Sequence, residues 1–262
     1  MTLASTLAGL LAAMLYSLTT LQFAKALRSG TQHTSRRALI PFALALACHA
    51  ASLALTTQFS FALAPALSLT AWLMVATVFG LAFSMPVASL ACVMAPIAGL
   101  FAVLTPLLET TVTSALEPGV WVHAVLSLCA YGLLGLSAVQ ACLVAWQTTQ
   151  LRRTALSTAG ALPPLESSER LMFSLMTAGV VALTVAIATG FAFLQDMFGQ
   201  RVAHKTVFSL LAWVAFAALL VGHHVLGWRG KTALRWTLSG MGLLLVGFFG
   251  SKLVLEVILQ PD

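Results

Sequence analysis

The apolar runs of this chain are long and unbroken, and that limits its fold more than any other feature. Leu63 to Ser84 is one such run, and it turns almost directly into Pro86 to Leu108. A surface helix of a soluble protein carries polar residues on the face that meets water. A continuous apolar stretch of about 20 residues instead matches the hydrocarbon thickness of a bilayer. Of 262 residues, 60% are hydrophobic and 8% charged, where a soluble domain has roughly 25% charged residues. The chain is therefore expected to be all-α, a polytopic membrane helix bundle. Helices are preferred to barrel strands, because the apolar runs are continuous and long and alternating segments of about ten residues are absent.

Eight transmembrane helices are expected: Leu3 to Leu27, Ala38 to Thr57, Leu63 to Ser84, Pro86 to Leu108, Val120 to Gln147, Leu171 to Leu194, Val207 to Val225 and Arg235 to Leu259. In the fourth, Pro86 opens the helix, Pro96 kinks it and Pro106 ends it. The first span is read as a retained helix rather than a signal peptide, for it lacks a charged leader. No internal repeat and no linker is visible, so residues 1–262 are read as a single integral membrane domain.

The net charge of +6 does not imply nucleic acid, because the basic residues sit in short loops between apolar runs. Lys25, Arg28, Arg36, Arg37, Arg152, Arg153, Arg170, Arg229, Lys231 and Arg235 share one face under an eight-span topology. Only Arg201, Lys205 and Lys252 lie toward the other. This bias places the richer face in the cytoplasm and both termini outward, in the inner (plasma) membrane of a cell. Lys252 and Glu256, four residues apart, neutralise each other on the eighth helix. Cys48, Cys92, Cys129 and Cys142 fall inside apolar runs with no CxxC, and are read as buried packing residues. Gly242 and Gly247 are expected to let helices approach closely.

Ionisable groups at membrane depth mark candidate sites. His49 lies mid-span in the second helix, and His123 near the outer end of the fifth. His204 stands at the mouth of the seventh, with His223 and His224 near its inner end. His33 sits in a basic loop and is read as solvated. A neutral imidazole can offer one ring nitrogen to iron while a neighbour orients the other. A macrocycle such as haem needs apolar walls and one or two such ligands. Each histidine also has a plainer reading. His49 can be a buried imidazole bonded to a neighbouring helix, His123 part of an aromatic belt beside Trp121, His204 a loop residue, and His223 and His224 interfacial anchors. No phosphate-binding loop, HExxH or serine elbow occurs, and no carboxylate lies deep in a span.

Several stretches carry a family resemblance: Trp121-x-His123, then Leu162-Pro163-Pro164-Leu165-Glu166-x-x-Glu169-Arg170-x-Met172-Phe173. Ala212-Trp213 through Gly222-His223 to Gly227-Trp228-Arg229-Gly230 is a third, and Gly247-Phe248-Phe249-Gly250-Ser251-Lys252 a fourth. Together they resemble the CcsA/HemX-type cytochrome c assembly proteins, most closely the inner-membrane YpjD branch. The resemblance spans essentially the whole chain, with the assembly-like region at approximately 60–260. It implies an all-helical membrane fold that moves or presents haem for attachment to cytochromes c. Better-understood members cradle haem on a tryptophan-rich outer segment flanked by ligating histidines. His123 matches the first of those outer histidines, His223 falls close to a membrane histidine, and His49 matches a second-span histidine of this branch. The segment Gln195 to His204 carries no tryptophan, and no histidine follows the eighth span.

The resulting expectation is a haem-associated assembly or chaperone-like membrane protein without catalytic turnover. His123 and His49 are the first-choice iron ligands, followed by His223 and His204. Its partners are the lipid bilayer, haem, and other cytochrome c maturation or membrane assembly proteins. The alternative is a regulatory or scaffolding subunit with structural histidines and no haem, whose basic loops dock a partner. A permease is disfavoured by the absence of an inverted repeat.

Overall fold

The computed structural model describes residues 3–29, 36–56, 63–108, 117–153, 164–193 and 203–247. These residues form eight α-helices and no strand: α1 (Leu3–Arg28), α2 (Arg36–Leu55), α3 (Leu63–Leu81), α4 (Ala88–Leu107), α5 (Pro118–Arg153), α6 (Leu165–Phe193), α7 (Ala203–Leu226) and α8 (Gly230–Leu245). Helices α1 to α7 are long and apolar enough to cross a membrane. The remainder of the eighth expected span lies outside the described residues, with Lys252 and Glu256, and so do His33 and Arg201.

Several helices outrun the apolar windows that marked them. α5 continues past Gln147 to Arg153, α6 begins at Leu165, and α8 begins at Gly230. The physical reason is that Glu, Gln, Lys and Arg end an apolar run but are good helix formers. Glu166 in the first turn of α6 also complements the positive end of the helix dipole. α4 runs through Pro96 and closes one residue after Pro106, with Leu108 extended at φ −90 and ψ 119.

The chain divides into two compact units. The first is Met1–Thr113 with Trp146–Ser168, and the second Ser114–Ala145 with Glu169–Asp262. In the first unit α1 packs on α2 and α4, and α3 on α4 and α2. The buried residues of α1 are Ser5, Gly9, Ala12, Tyr16, Thr19 and Phe23. Their alternating spacing of four and three is the seam of a helix packed at a shallow angle. Its outward face carries Leu3, Leu7, Leu10, Leu11, Met14, Leu18 and Leu21. Leucines outside and small or hydroxylated residues inside invert the pattern of a soluble helix, as expected when the solvent is lipid.

Gly9 decides how closely α1 meets α4. A Cβ there would collide with the carbonyl oxygen of Ala102, which belongs to the backbone and cannot swing away. Gly9→Val is therefore expected to destabilise the protein by about 1–3 kcal/mol through overpacking. Unfolding of the detergent-purified variant by denaturant titration measures this. Edge-on aromatic contacts continue the same core, with Phe42 against Phe23 at 6.0 Å, Tyr16 at 6.3 Å and Phe79 at 5.4 Å.

In the second unit α5 and α6 run antiparallel. Ser137 donates to the Met172 carbonyl at 3.0 Å, and the Leu134 side chain fills the space above Gly179. Trp213 of α7 donates its indole N–H to Thr184 of α6 at 2.8 Å. α8 returns against α7, where Phe216 lies over Gly240 and Phe208 over Gly247. Gly247 thus matches the expected close approach. At Gly242 no described residue lies within 4 Å of where its Cβ would be. The cysteines are free, but less enclosed than their apolar setting suggested: Cys48, Cys92 and Cys129 are half-buried and Cys142 is exposed. A thiol is apolar enough to face lipid as readily as core.

Candidate functional site

His49 belongs to the first unit; His123, His204 and His223 belong to the second.

His49 is fully buried at 0% exposure, and both of its ring nitrogens are engaged. Nε2 lies 3.0 Å from Ser68 Oγ, and Ser68 Oγ donates in turn to the carbonyl of Phe101 at 3.4 Å. A carbonyl can only accept, so the direction of the chain is set from that end. Nε2–H donates to Ser68, and Nδ1 accepts from the Tyr16 hydroxyl at 3.4 Å. Tyr16, His49, Ser68 and Phe101 come from α1, α2, α3 and α4 respectively. One hydrogen-bond chain thus crosses all four helices, and the Tyr16 ring closes edge-on over the imidazole at 5.9 Å. Iron ligation by His49 would require this chain to break. The sequence displays neither Tyr16 nor Ser68 as a partner, since the contacts join residues 33 and 19 positions away.

His123 is arranged differently. It stands in the second turn of α5 and is half-buried. Its Nδ1–H donates to the Ala186 carbonyl of α6 at 2.9 Å, and Thr189 Oγ1 lies 3.4 Å from the same nitrogen. The carbonyl fixes the tautomer, so Nε2 keeps its lone pair, and no described residue donates to it. An imidazole oriented through Nδ1 with Nε2 free is the form in which histidine ligates a metal. Around it the α5–α6 end exposes the rings of Trp121, Phe191 and Phe193, and Phe193 covers Gly119. The role of Thr189 and the Ala186 carbonyl has no local signature in the sequence.

His223, near the end of α7, repeats the arrangement. Its Nδ1–H donates to the Trp228 carbonyl at 3.0 Å, and its ring stacks on Phe173 of α6 at 3.5 Å with 14° between planes. His224 is exposed and turns back to the Leu220 carbonyl of its own helix at 2.8 Å. The anchors of His123 and His223 on α6, Ala186 and Phe173, are separated by roughly 20 Å of helix rise. These two histidines therefore cannot bind opposite faces of the same iron.

His204 lies in the first turn of α7, a helix position rather than the loop position of its plainer reading; its side chain is outside the described residues. Trp213 meets Thr184 in an antiparallel pair, so the backbone at residue 204 stands level with Phe193. Phe193 in turn lies over Gly119, about one helical turn from His123 along α5. Among the described residues no three His, Cys, Asp or Glu side chains gather to hold a metal ion. A porphyrin iron needs only one or two protein ligands, because the macrocycle supplies the others.

The sequence model of the cytochrome C assembly protein family matches residues 4–259. The chain belongs to that family. The match starts well before residue 60, where the expected family region began. Among curated proteins, the chain is 37% identical over 141 residues to inner membrane protein YpjD of Escherichia coli (strain K12), covering 54% of each chain. It is 34% identical over 168 residues to an uncharacterized 28.8 kDa protein in the nifR3-like 5'region of Azospirillum brasilense, covering 62% of this chain and 61% of that one. The chain thus matches between half and two thirds of the length of these relatives. No solved structure matches it.

Proposed function

We propose that this multi-pass cytochrome c assembly protein resides in the inner membrane and binds haem at the α5–α6 end of its second unit. There it would hold or present the cofactor, with no catalytic turnover of its own. The observation that carries this reading is the His123 imidazole, whose Nδ1–H is committed to Ala186 while Nε2 stays free. The exposed rings of Trp121, Phe191 and Phe193 supply the apolar surface that a porphyrin face requires. His204, within about a turn of the same depth, is the histidine to test as a second ligand. His223 has the same Nδ1 arrangement at the opposite end of α6 and would serve a separate site. The absent tryptophan-rich segment favours holding or sensing haem over delivering it, in concert with other assembly proteins. The basic loops are assigned to the cytoplasm and both termini to the outer side.

When bound, haem would supply the iron centre; the protein's part is to orient one imidazole and exclude water with apolar rings. The test is a visible spectrum of the detergent-purified protein with and without added haem. A Soret band that saturates near one haem per chain and shifts on reduction is the expected result. A protein that gains no specific band belongs to the scaffolding alternative.

A further inference from the structure

We propose that the corner between α7 and α8 is a binding surface for the phosphate headgroup of anionic phospholipid. This inference is independent of the haem reading. Three residues, Gly227 to Arg229, link the two helices. The turn is built on left-handed glycines, Gly227 at φ 67 and Gly230 at φ 57, a conformation that a Cβ would strain. Both sides of the Trp228 peptide unit are pinned: its N–H donates to the Gly222 carbonyl at 3.1 Å, and its carbonyl accepts from His223 at 3.0 Å. The Trp228 ring lies over Gly222 and stacks on Trp236 at 5.7 Å. The corner is thus rigid, and the side chains it displays have a fixed frame.

Those side chains are cationic. Arg229, Lys231 and Arg235 are all exposed, and none forms an ion pair with a described residue. Lys231 and Arg235 are four apart on α8 and so share one face. The first turn of α8 carries no acidic residue and no side-chain cap, so its backbone N–H groups add to the positive field rather than offset it. On α6, the adjacent Glu169 and Arg170 carry opposite charges that sum to zero. Three unneutralised cations within seven residues repel one another and call for an anion.

The depth of the corner says which anion. It follows an apolar span, Lys205–Leu226, whose last residues Val221, Val225 and Leu226 are exposed at 62%, 74% and 66%. Those residues face acyl chains. Trp228 and Trp236 occupy the belt where indole rings gather at the membrane boundary, and the cations lie immediately beyond. Acyl-facing valines, interfacial indoles and then free cations match an anionic lipid from tail to headgroup. A soluble anion would have no use for the first two.

The experiment is native mass spectrometry of the full chain in neutral detergent, titrated with phosphatidylglycerol or phosphatidylcholine of identical acyl chains. Phosphatidylglycerol is expected to be retained in preference to phosphatidylcholine. Each basic residue near a membrane surface contributes about five-fold in affinity, so Lys231→Gln with Arg235→Gln should weaken that retention roughly 25-fold. Lys231→Arg should keep it. The charge-matched Lys25→Gln with Arg28→Gln pair, at the end of α1, should leave it unchanged. Equal retention of both lipids overturns the proposal, as does equal weakening by the α1 pair. Displacement of the lipid by millimolar inorganic phosphate would also overturn it, because the surface would then select a free anion.

Discussion

Replacing His123 by alanine is expected to abolish the Soret band of the haem-loaded protein while the helical circular dichroism stays unchanged. The ring is half-buried at the end of α5, so its loss removes little packing. Its hydrogen bond to Ala186 ends on a carbonyl that already serves the α6 backbone, so no buried group is stranded. What disappears is the free Nε2. Removing the partner that merely orients a ligating histidine typically costs 10–100-fold in metal affinity, so losing the ligand itself should exceed about 100-fold. Added imidazole should partly restore the band by occupying the vacated position. Thr189→Val gives a graded companion result. It leaves the Ala186 carbonyl as acceptor for Nδ1, so the loss should fall near the lower bound, about ten-fold. Haem titration followed by absorbance reads both variants. An unchanged band in a folded His123→Ala protein would remove the haem reading from this end of the molecule.

His49→Ala is expected to show the opposite pair of effects, a retained Soret band and a marked loss of stability. Truncating a fully buried ring to alanine costs about 3–5 kcal/mol when the surroundings cannot collapse. Interhelical hydrogen bonds within membranes contribute only about 0.6 kcal/mol each on average. The cavity therefore dominates, and Tyr16→Phe, which removes one hydrogen bond and no volume, should cost about 1 kcal/mol or less. Denaturant titration of the purified variants separates these magnitudes. Loss of the haem band from a folded His49→Ala protein would instead make His49 a ligand, against its committed nitrogens.

Much of the fold was legible because a bilayer imposes a simple length rule on helices. Leu3 and Leu63 were each placed at the starts they occupy, from hydropathy alone. The ends were less legible where the run of lipid-compatible residues stops before the helix does, as at Thr148 to Arg153 of α5 and Leu165 to Arg170 of α6. No loop separates the two units, since α5 and α6 each run through the boundary. At the candidate sites, residue types announced the histidines but not their partners. Whether an imidazole is free or committed depends on residues such as Ser68, Ala186 and Trp228. Two of those lie on other helices, and two act through backbone carbonyls that every residue possesses. His49 and His123 are both lone histidines in apolar runs, and what separates a committed ring from an available one lies in their surroundings.

The hydrogen-bond chain through His49 has a consequence for how the first unit can vary. Alanine-rich helix faces are nearly interchangeable, so a small axial roll of one helix costs little in contacts. Advancing α2 by a single residue would rotate its faces by about 100°, turning the imidazole toward the acyl chains and stranding two hydroxyls. The polar thread thereby sets the azimuth of α1, α2, α3 and α4 together. The leucines on the outer surface are then free to drift among apolar residue types without loosening the bundle.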